Sequence, residues 1–350
     1  MKILITGGAG YLGCVLVERL LLNNLLLSNG ADKSKTDIAG AADKPQFHLR
    51  EKVQVTVVDD LMYRQTNLTE FSWRDDFRFI YGDVRDHDLM KKVIQENDVI
   101  IPLAAIVGMP ACRKYPTETV EINQKAVEFI SNNSSKDQRI IYPTTNSGYG
   151  IGQVKEGELV ECTELTPLNP ISLYGTTKVN AEKCLLENNK DNAITLRLAT
   201  VFGISPRMRL DLLVNDFTYR AYNDKYIVLF ESHFKRNYIH VRDVARTFVY
   251  ALNEWDKMKG EPFNVGLSSA NLSKLELCTK IKEQIPDFYI TQSEINSDPD
   301  KRNYVVSNRK IENLDSNEPW APAHSLDSGI KELIKAYSII SNNNKKFTNL

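Results

Sequence analysis

The chain is 350 residues long, 42% hydrophobic and 25% charged, with a formal net charge of −1, an ordinary soluble composition with ample length for a core. That balance offers no electrostatic attraction for nucleic acid or an anionic membrane surface, so neither is expected as a partner. The five cysteines, Cys14, Cys112, Cys162, Cys184 and Cys278, are scattered and form no C-x-x-C pair, which argues for a reducing compartment and against a metal site.

Lys2–Thr6 reads as a buried strand, Gly7-Gly8-Ala9-Gly10-Tyr11-Leu12-Gly13 as a glycine turn, and Cys14–Leu20 as a helix. Strand, glycine turn and helix in that order form the context of a dinucleotide-binding fingerprint, here spaced G-x-x-G-x-x-G. Gly7 permits the tight turn, Gly10 lets backbone approach a pyrophosphate, and Gly13 lets the helix pack on the strand. The phosphates would rest on the free N–H groups at the helix start. The apolar stretch Leu12–Leu27 is broken by Glu18, Arg19, Asn23 and Asn24. It is too short and polar to span a membrane, and no basic leader precedes it, so a cytoplasmic location is expected.

Val53–Val58 is the next strand and ends in Asp59-Asp60. An acid about 20 residues after the glycines is usual, whereas Asp59 follows Gly13 by 46 residues. The excess lies within 24–52, and Ser28–Pro45 reads as a surface excursion, either a tolerated insertion or a lid. Asp59, followed by Asp60 and Leu61, is expected on the adenosine ribose, where a carboxylate accepts hydroxyl hydrogen bonds and repels a 2′-phosphate. This favours NAD over NADP; Arg64 could serve NADP, but two consecutive acids outweigh it.

Phe77–Tyr81 is a third strand, leading through Gly82-Asp83-Val84 to a helix over Asp88–Glu96. Asp98–Ala105 is an apolar strand ending in Leu103-Ala104-Ala105, small enough to let a cofactor pass and equally consistent with close packing. A helix over Thr117–Ser131 precedes the strand Ile140–Tyr142, which runs into Pro143–Gly150. After Pro170 comes another helix, on which Tyr174 and Lys178, four residues apart, share a face. Gly175 in its interior suggests that a ligand approaches closely.

The glycine loop, Asp59, Gly82-Asp83-Val84, Leu103-Ala104-Ala105, Thr145 with Tyr149-Gly150, and the Tyr174/Lys178 pair together resemble an extended short-chain dehydrogenase/reductase of the nucleotide-sugar epimerase and dehydratase group. The resemblance spans nearly the whole chain except 24–52 and the last few residues. It implies an α/β fold, a Rossmann-type doubly wound parallel sheet with a smaller C-terminal substrate-binding domain. The NAD-binding part would be 1–203, with 237–258 returning to it, and the substrate part 204–236 and 259–345. It also implies an enzyme with Gly7, Gly10, Tyr11, Leu12, Gly13, Asp59, Asp60, Leu61, Asp83, Val84, Leu103, Ala104 and Ala105 around NAD. A homodimer through the Thr117–Ser131 and Ser172–Glu187 helices is expected on the same ground.

The roles implied for the chemistry are Tyr174 as base for a sugar hydroxyl, Thr145 as its orienter, and Lys178 as the ligand of the nicotinamide ribose. Lys178 would also lower the Tyr174 pKa. A free tyrosine titrates near ~10 and a useful base nearer ~7, a gap of about 4 kcal/mol that one cation ~4 Å away at a dielectric of ~20 can supply. The resemblance places Asn146, Ser147, Thr200, Asn215, Arg236 and Arg302 on the substrate, with the two arginines gripping a diphosphate through their guanidinium forks. Arg207 and Arg209 read instead as solvated surface residues, and His240 as a packed structural one.

One departure narrows the reaction. Thr145 is followed by Asn146-Ser147 where the sugar dehydratases of the group carry acids, so elimination of water is disfavoured. Details around Thr144–Gly150 and Ser205–Arg209 are similar to a branch with GDP-heptose 4-dehydrogenases. Three readings follow: oxidation at C4 of a GDP-, UDP-, dTDP- or CDP-linked sugar, 4-epimerisation through a keto-sugar, and a non-catalytic NAD-binding scaffold, which retention of both Tyr174 and Lys178 disfavours.

Overall fold

The computed structural model describes residues 1–28, 47–293, 295, 300–340 and 347–349. Apart from Ser28, the expected excursion Ser28–Pro45 lies outside the described residues.

Nearly continuous apolar runs build the centre of the molecule, the pattern of parallel strands covered on both faces. β1 (Lys2–Thr6) passes through the glycine loop into α1 (Tyr11–Ser28), and β2 (Gln54–Asp59) and β3 (Phe77–Tyr81) extend the sheet to one side. α2 (His87–Gln95), capped by the Asp86 side chain on the Leu89 N–H, leads back to β4 (Val99–Pro102) on the other side of β1. α3 (Met109–Lys114) and α4 (Pro116–Val120) precede a π turn over Glu121–Lys125 that runs on into α5 (Ala126–Asn133). β5 (Arg139–Thr145) pairs with β4. A hairpin of β6 (Gln153–Lys155) and β7 (Glu158–Cys162) precedes α6 (Leu173–Asn188), which crosses to β8 (Ala193–Leu198).

Beyond the sheet come β9 (Thr200–Phe202), α7 (Leu213–Asn223), β10 (Tyr226–Phe230) and β11 (Lys235–His240). α8 (Val241–Asn253) and α9 (Trp255–Met258) return the chain to β12 (Pro262–Val265). The remainder is β13 (Asn271–Ser273), α10 (Lys274–Gln284), β14 (Tyr289–Ser293), β15 (Val305–Val306), α11 (Arg309–Glu312) and α12 (Leu326–Tyr337).

The main sheet has seven parallel strands in the order β12-β8-β5-β4-β1-β2-β3. The winding reverses between β1 and β4, the place where such sheets bind ligands outside the carboxyl ends of their strands. One face packs on α1 and α8 through Leu16, Leu20, Val57 and Phe248, and the other on α2, α5 and α6 through Leu4, Ile100, Tyr142 and Leu185. A second apolar cluster, including Phe217, Tyr238, Leu277, Ile281 and Ile330, joins α7, β11, α10 and α12.

The far end of the expected insertion is core. Phe47 and Leu49 are only 1% and 2% exposed, and the Phe47 ring lies 4.8 Å from Tyr250 of α8. The Asn24 amide holds the returning chain, donating to the Val53 carbonyl at 2.7 Å and accepting from the Val53 N–H at 2.8 Å. The surplus over an ordinary βαβ unit therefore ends before Phe47.

Candidate active site

A continuous cavity of about 1030 Å³ opens over the carboxyl ends of β1, β2, β4 and β5. Gly7, Gly10, Tyr11, Leu12 and Gly13 form one wall. Gly7 has φ +69°, and a Cβ there would stand 2.5 Å from the Ala104 nitrogen, so glycine alone lets β4's continuation pass. A Cβ on Gly13 would stand 2.5 Å from the Gly7 carbonyl, which explains the third glycine as close helix–turn packing. Asp60, Asp83, Val84, Leu103, Ala104 and Ala105 also line the cavity.

Asp59, at the end of β2, accepts from the Ala9 N–H and from the Leu61 N–H, both at 2.9 Å. Burial raises its pKa, and those two backbone donors oppose the rise. Its carboxylate thus ties the glycine loop to β2 while still facing the cavity. Leu61 does not line the cavity: its backbone turns at φ +51°, its N–H serves Asp59, and its side chain packs on the core. A glycine cradle at the start of α1 with a carboxylate beside it suits the pyrophosphate and adenosine ribose of NAD.

At the other end, the Thr145 hydroxyl caps a 3₁₀ turn over Asn146–Tyr149, accepting from the Ser147 N–H at 3.0 Å and contacting Ser147 Oγ at 3.0 Å. Thr145 and Ser147 line the cavity. Asn146 does not; between two residues that face the cavity, its side chain is turned into the protein, against the expectation of a substrate contact. The Ser172 hydroxyl caps α6 by accepting from the Gly175 N–H at 3.1 Å, and the helix presents Tyr174 and Lys178 to the cavity. Gly175 meets protein: a Cβ there would lie 3.0 Å from Pro170 Cβ and 3.3 Å from Ser172 Oγ, so crowding at the cap explains the glycine.

The electrostatics of this pair differ from the sequence expectation. Burial pushes the Tyr174 phenol up to about 12, with Arg209 and Arg302 opposing it, and pushes the Lys178 ammonium down to about 7, with Glu182 opposing it. Lys178 Nζ sits 4.0 Å over the Tyr142 ring. Among the protein's own groups desolvation outweighs the neighbouring cations, so Lys178 alone does not lower Tyr174.

On the substrate side, Arg236 of β11 and Arg302 converge on Asp300. Arg236 Nη2 lies 3.1 Å from Asp300 Oδ1, and Arg302 donates through Nε at 2.7 Å and Nη2 at 2.5 Å. Arg302 also bonds Ser147 Oγ through Nη1. All four residues and Thr200 line the cavity. Asn215 stands outside it: its amide accepts from the Gly203 N–H at 3.0 Å and donates to the Arg209 carbonyl at 2.8 Å and to the hydroxyl of the cavity-lining Tyr11 at 3.3 Å, so it braces the wall from behind.

Arg207 and Arg209, expected in solvent, are each 6% exposed and line the cavity. Arg209 pairs with Asp211 at 2.5 Å. Arg207 donates to the Met208 carbonyl at 2.6 Å and to Asn349 Oδ1 at 3.1 Å, with its guanidinium 4.9 Å from the centre of the Tyr63 ring. The Arg-x-Arg-x-Asp alternation was the available signal. Asn123 is a second residue that sequence reasoning missed. The π turn buries its amide against Ile106, accepting from the N–H at 2.8 Å and donating to the carbonyl at 2.9 Å, which fixes the wall after Ala105. His240 is structural, with its Nδ1 accepting from the Arg242 N–H and Nε2 bonded to Glu332 Oε2 at 2.8 Å.

A family model described as the NAD-dependent epimerase/dehydratase family matches residues 3–266. The chain belongs to this family. Membership makes it an enzyme of the extended short-chain dehydrogenase/reductase type that works with NAD. Among other members, the low-salt glycan biosynthesis protein Agl12 of Haloferax volcanii is 26% identical, covering 96% of this chain and 98% of its own. The solved structure of UDP-glucuronic acid 4-epimerase from Bacillus cereus, in complex with UDP-glucuronic acid and NAD, superposes with a TM-score of 0.72 at 24% identity, over 97% of this chain and 99% of that one. The dTDP-glucose 4,6-dehydratase DesIV of Streptomyces venezuelae gives 0.75 at 20% identity over 100% and 99%. At these identities the two structures speak for the Rossmann-type α/β fold. No helix among the described residues is long and apolar enough to cross a membrane.

Proposed function

We propose that this family member is an NAD-dependent oxidoreductase acting at C4 of a nucleotide-activated sugar, a 4-dehydrogenase for which a GDP-heptose is the leading substrate. The observation that carries the reading is the composition of the reacting end. Thr145, Tyr174 and Lys178 converge on the cavity, and Ser147 stands beside Thr145 where an eliminating acid would be needed. The carboxylates on the substrate side, Asp211, Asp216 and Asp300, are each engaged by an arginine.

In this reading Tyr174 takes the proton of the C4 hydroxyl, which Thr145 orients, and Lys178 holds the nicotinamide ribose. NAD+, when bound, would supply the hydride acceptor and a positive charge that favours the base form of Tyr174, which burial disfavours. Arg236 and Arg302, bridged by Asp300, grip the diphosphate of a GDP-, UDP-, dTDP- or CDP-linked sugar. The division into an NAD-binding part over 1–203 and 237–258 and a substrate part over the rest belongs to the same proposal, as does a cytoplasmic setting. So does a homodimer through α4, α5 and α6, of which α4 and α5 both pack on α6; light scattering that reports a monomer at micromolar protein would remove it.

A 4-epimerase is the second reading, because it uses the same Thr145, Tyr174 and Lys178 and likewise needs no eliminating acid. A thermal-shift screen against the four nucleotide-sugar classes, followed by turnover with the stabilising one, separates them. Accumulation of NADH with a keto-sugar supports the dehydrogenase, and C4 inversion without net NADH supports the epimerase. Loss of water from the sugar would overturn both, and release of NADP from denatured protein would overturn the role of Asp59.

A further inference from the structure

Lys178 is 4% exposed and stacked over Tyr142, in surroundings that disfavour its charge. Four residues further along α6 stands Glu182, 1% exposed. One turn apart on α6 the two share a face, and the carboxylate favours the charged form of Lys178. The other titratable groups around the ammonium are phenols: Tyr142 of β5 beneath it, whose hydroxyl donates to the Asn123 carbonyl at 3.3 Å, and Tyr174 one turn back on α6. Burial holds both phenols protonated, and Cys112 of α3, which bears on Tyr174, is likewise held as a thiol.

Glu182 is itself paired, but unevenly. Its Oε1 accepts both Nε at 2.9 Å and Nη2 at 2.6 Å of the buried Arg197 on β8, while Oε2, also buried, has no hydrogen-bond partner. A guanidinium fork normally spans both oxygens of a carboxylate. Here both arms of the fork fall on Oε1, while the remaining Nη1 bonds the Tyr149 hydroxyl and the Glu164 carbonyl, both at 3.1 Å, and Tyr149 is anchored on Asn264 Oδ1 at 2.7 Å. One carboxylate oxygen is therefore left without a hydrogen-bond donor beneath the site.

We propose that the Glu182–Arg197 pair is a positioning device for the reaction: the half-engaged carboxylate biases Lys178 toward its ammonium form, and Arg197 sets how strongly it does so. The inference rests on the reading of Lys178 as the ligand of the nicotinamide ribose. Its signature is one of sign. Removing the negative partner by Glu182→Gln should make Lys178 lose its proton at lower pH, whereas removing the positive one by Arg197→Gln should let it keep the proton to higher pH. A pair that served stability alone would weaken the fold in both variants without moving the titration in opposite directions.

The test is the titration of Lys178 itself, followed through its ¹³Cε resonance in lysine-labelled protein from acid to alkaline pH and assigned with Lys178→Arg. We expect the midpoint displaced by about one pH unit downward in Glu182→Gln and by a smaller amount upward in Arg197→Gln. The double variant Glu182→Gln/Arg197→Gln, which leaves no unpaired buried charge and so folds more readily, should fall between Glu182→Gln and the wild type. Unmoved midpoints, displacement of both single variants in the same direction, or a double variant equal to the wild type would overturn the proposal. If the midpoints move as expected and no nucleotide sugar is turned over, the pair keeps its role toward Lys178 and the assigned reaction falls.

Discussion

Burial disfavours the charged form of Lys178, and the sign of the consequence can be worked out. Its midpoint of about 7 lies below the ~10.4 of an unfolded chain, so at pH 6 both states carry the proton and the folded one bears the whole cost. As pH rises past 7 only the unfolded chain still binds that proton, and stability increases until both states are neutral. In protein stripped of nucleotide, Lys178→Met should raise the melting temperature by about 5 °C at pH 6 and leave it nearly unchanged near ~10.5. Equal effects in calorimetry at both pH values would show that the ammonium is not the source. Tyr174→Phe keeps the ring and removes the base, so single-turnover hydride transfer should fall by about 10²–10⁴-fold with sugar affinity preserved, and Thr145→Val should cost less. An unchanged hydride step with weakened affinity would make Tyr174 a binding residue. These positions were legible because each is set by local spacing: glycines three apart after a strand, an acid at a strand end, two side chains four apart on a helix. Arg207, Arg209, Asn146 and Asn215 were misread because their surroundings depend on how the loop after β9 folds across the cavity and which way a 3₁₀ turn faces. Neither is written in the residue types.

At the scale of elements, the strands and helices around the cavity followed their apolar periodicity, whereas the π turn did not announce itself. Glu121–Lys125 reads as ordinary helix, and only the inserted residue swings the Asn123 amide onto Ile106. Asn123→Leu should leave the Ile106 N–H buried without a partner and its carbonyl with only the weak Cys112 thiol donor, costing about 1–3 kcal/mol in denaturant unfolding. It should also weaken NADH binding by fluorescence titration, because the wall after Ala105 loses its brace; wild-type affinity would separate the turn from the site. The insertion divides in the same way. A glycine-serine linker in place of 29–45 should leave the melting temperature within a few degrees, while Phe47→Ala, which empties a core position against Tyr250, should cost about 3–5 kcal/mol. The sequence offered no sign of that boundary, since a single phenylalanine beyond a small-residue stretch becomes core only once α8, some two hundred residues later, is in place.

At the scale of the whole molecule, the parallel sheet and its reversal at β1 and β4 were implied by the alternation of strands and helices, while the second apolar cluster was not resolvable from pattern because its elements are short and come from separated segments. The cavity draws the glycine loop from one and Arg236, Asp300 and Arg302 from the other. That trio bears on the speed of encounter. Two guanidiniums and one carboxylate present an approaching diphosphate with a net single positive charge. Capture should therefore be only weakly steered, and its rate should fall gently with ionic strength. Asp300→Asn doubles the local charge and loosens both arginines, leaving Arg302 on Ser147 Oγ and Arg236 on the Lys235 carbonyl. Stopped-flow mixing with a stabilising nucleotide sugar should show faster association with a steeper dependence on salt, and faster release as well. A variant that gained association rate without losing residence time would mean that Asp300 restrains the arginines for nothing. The carboxylate between them exchanges speed of arrival for length of stay.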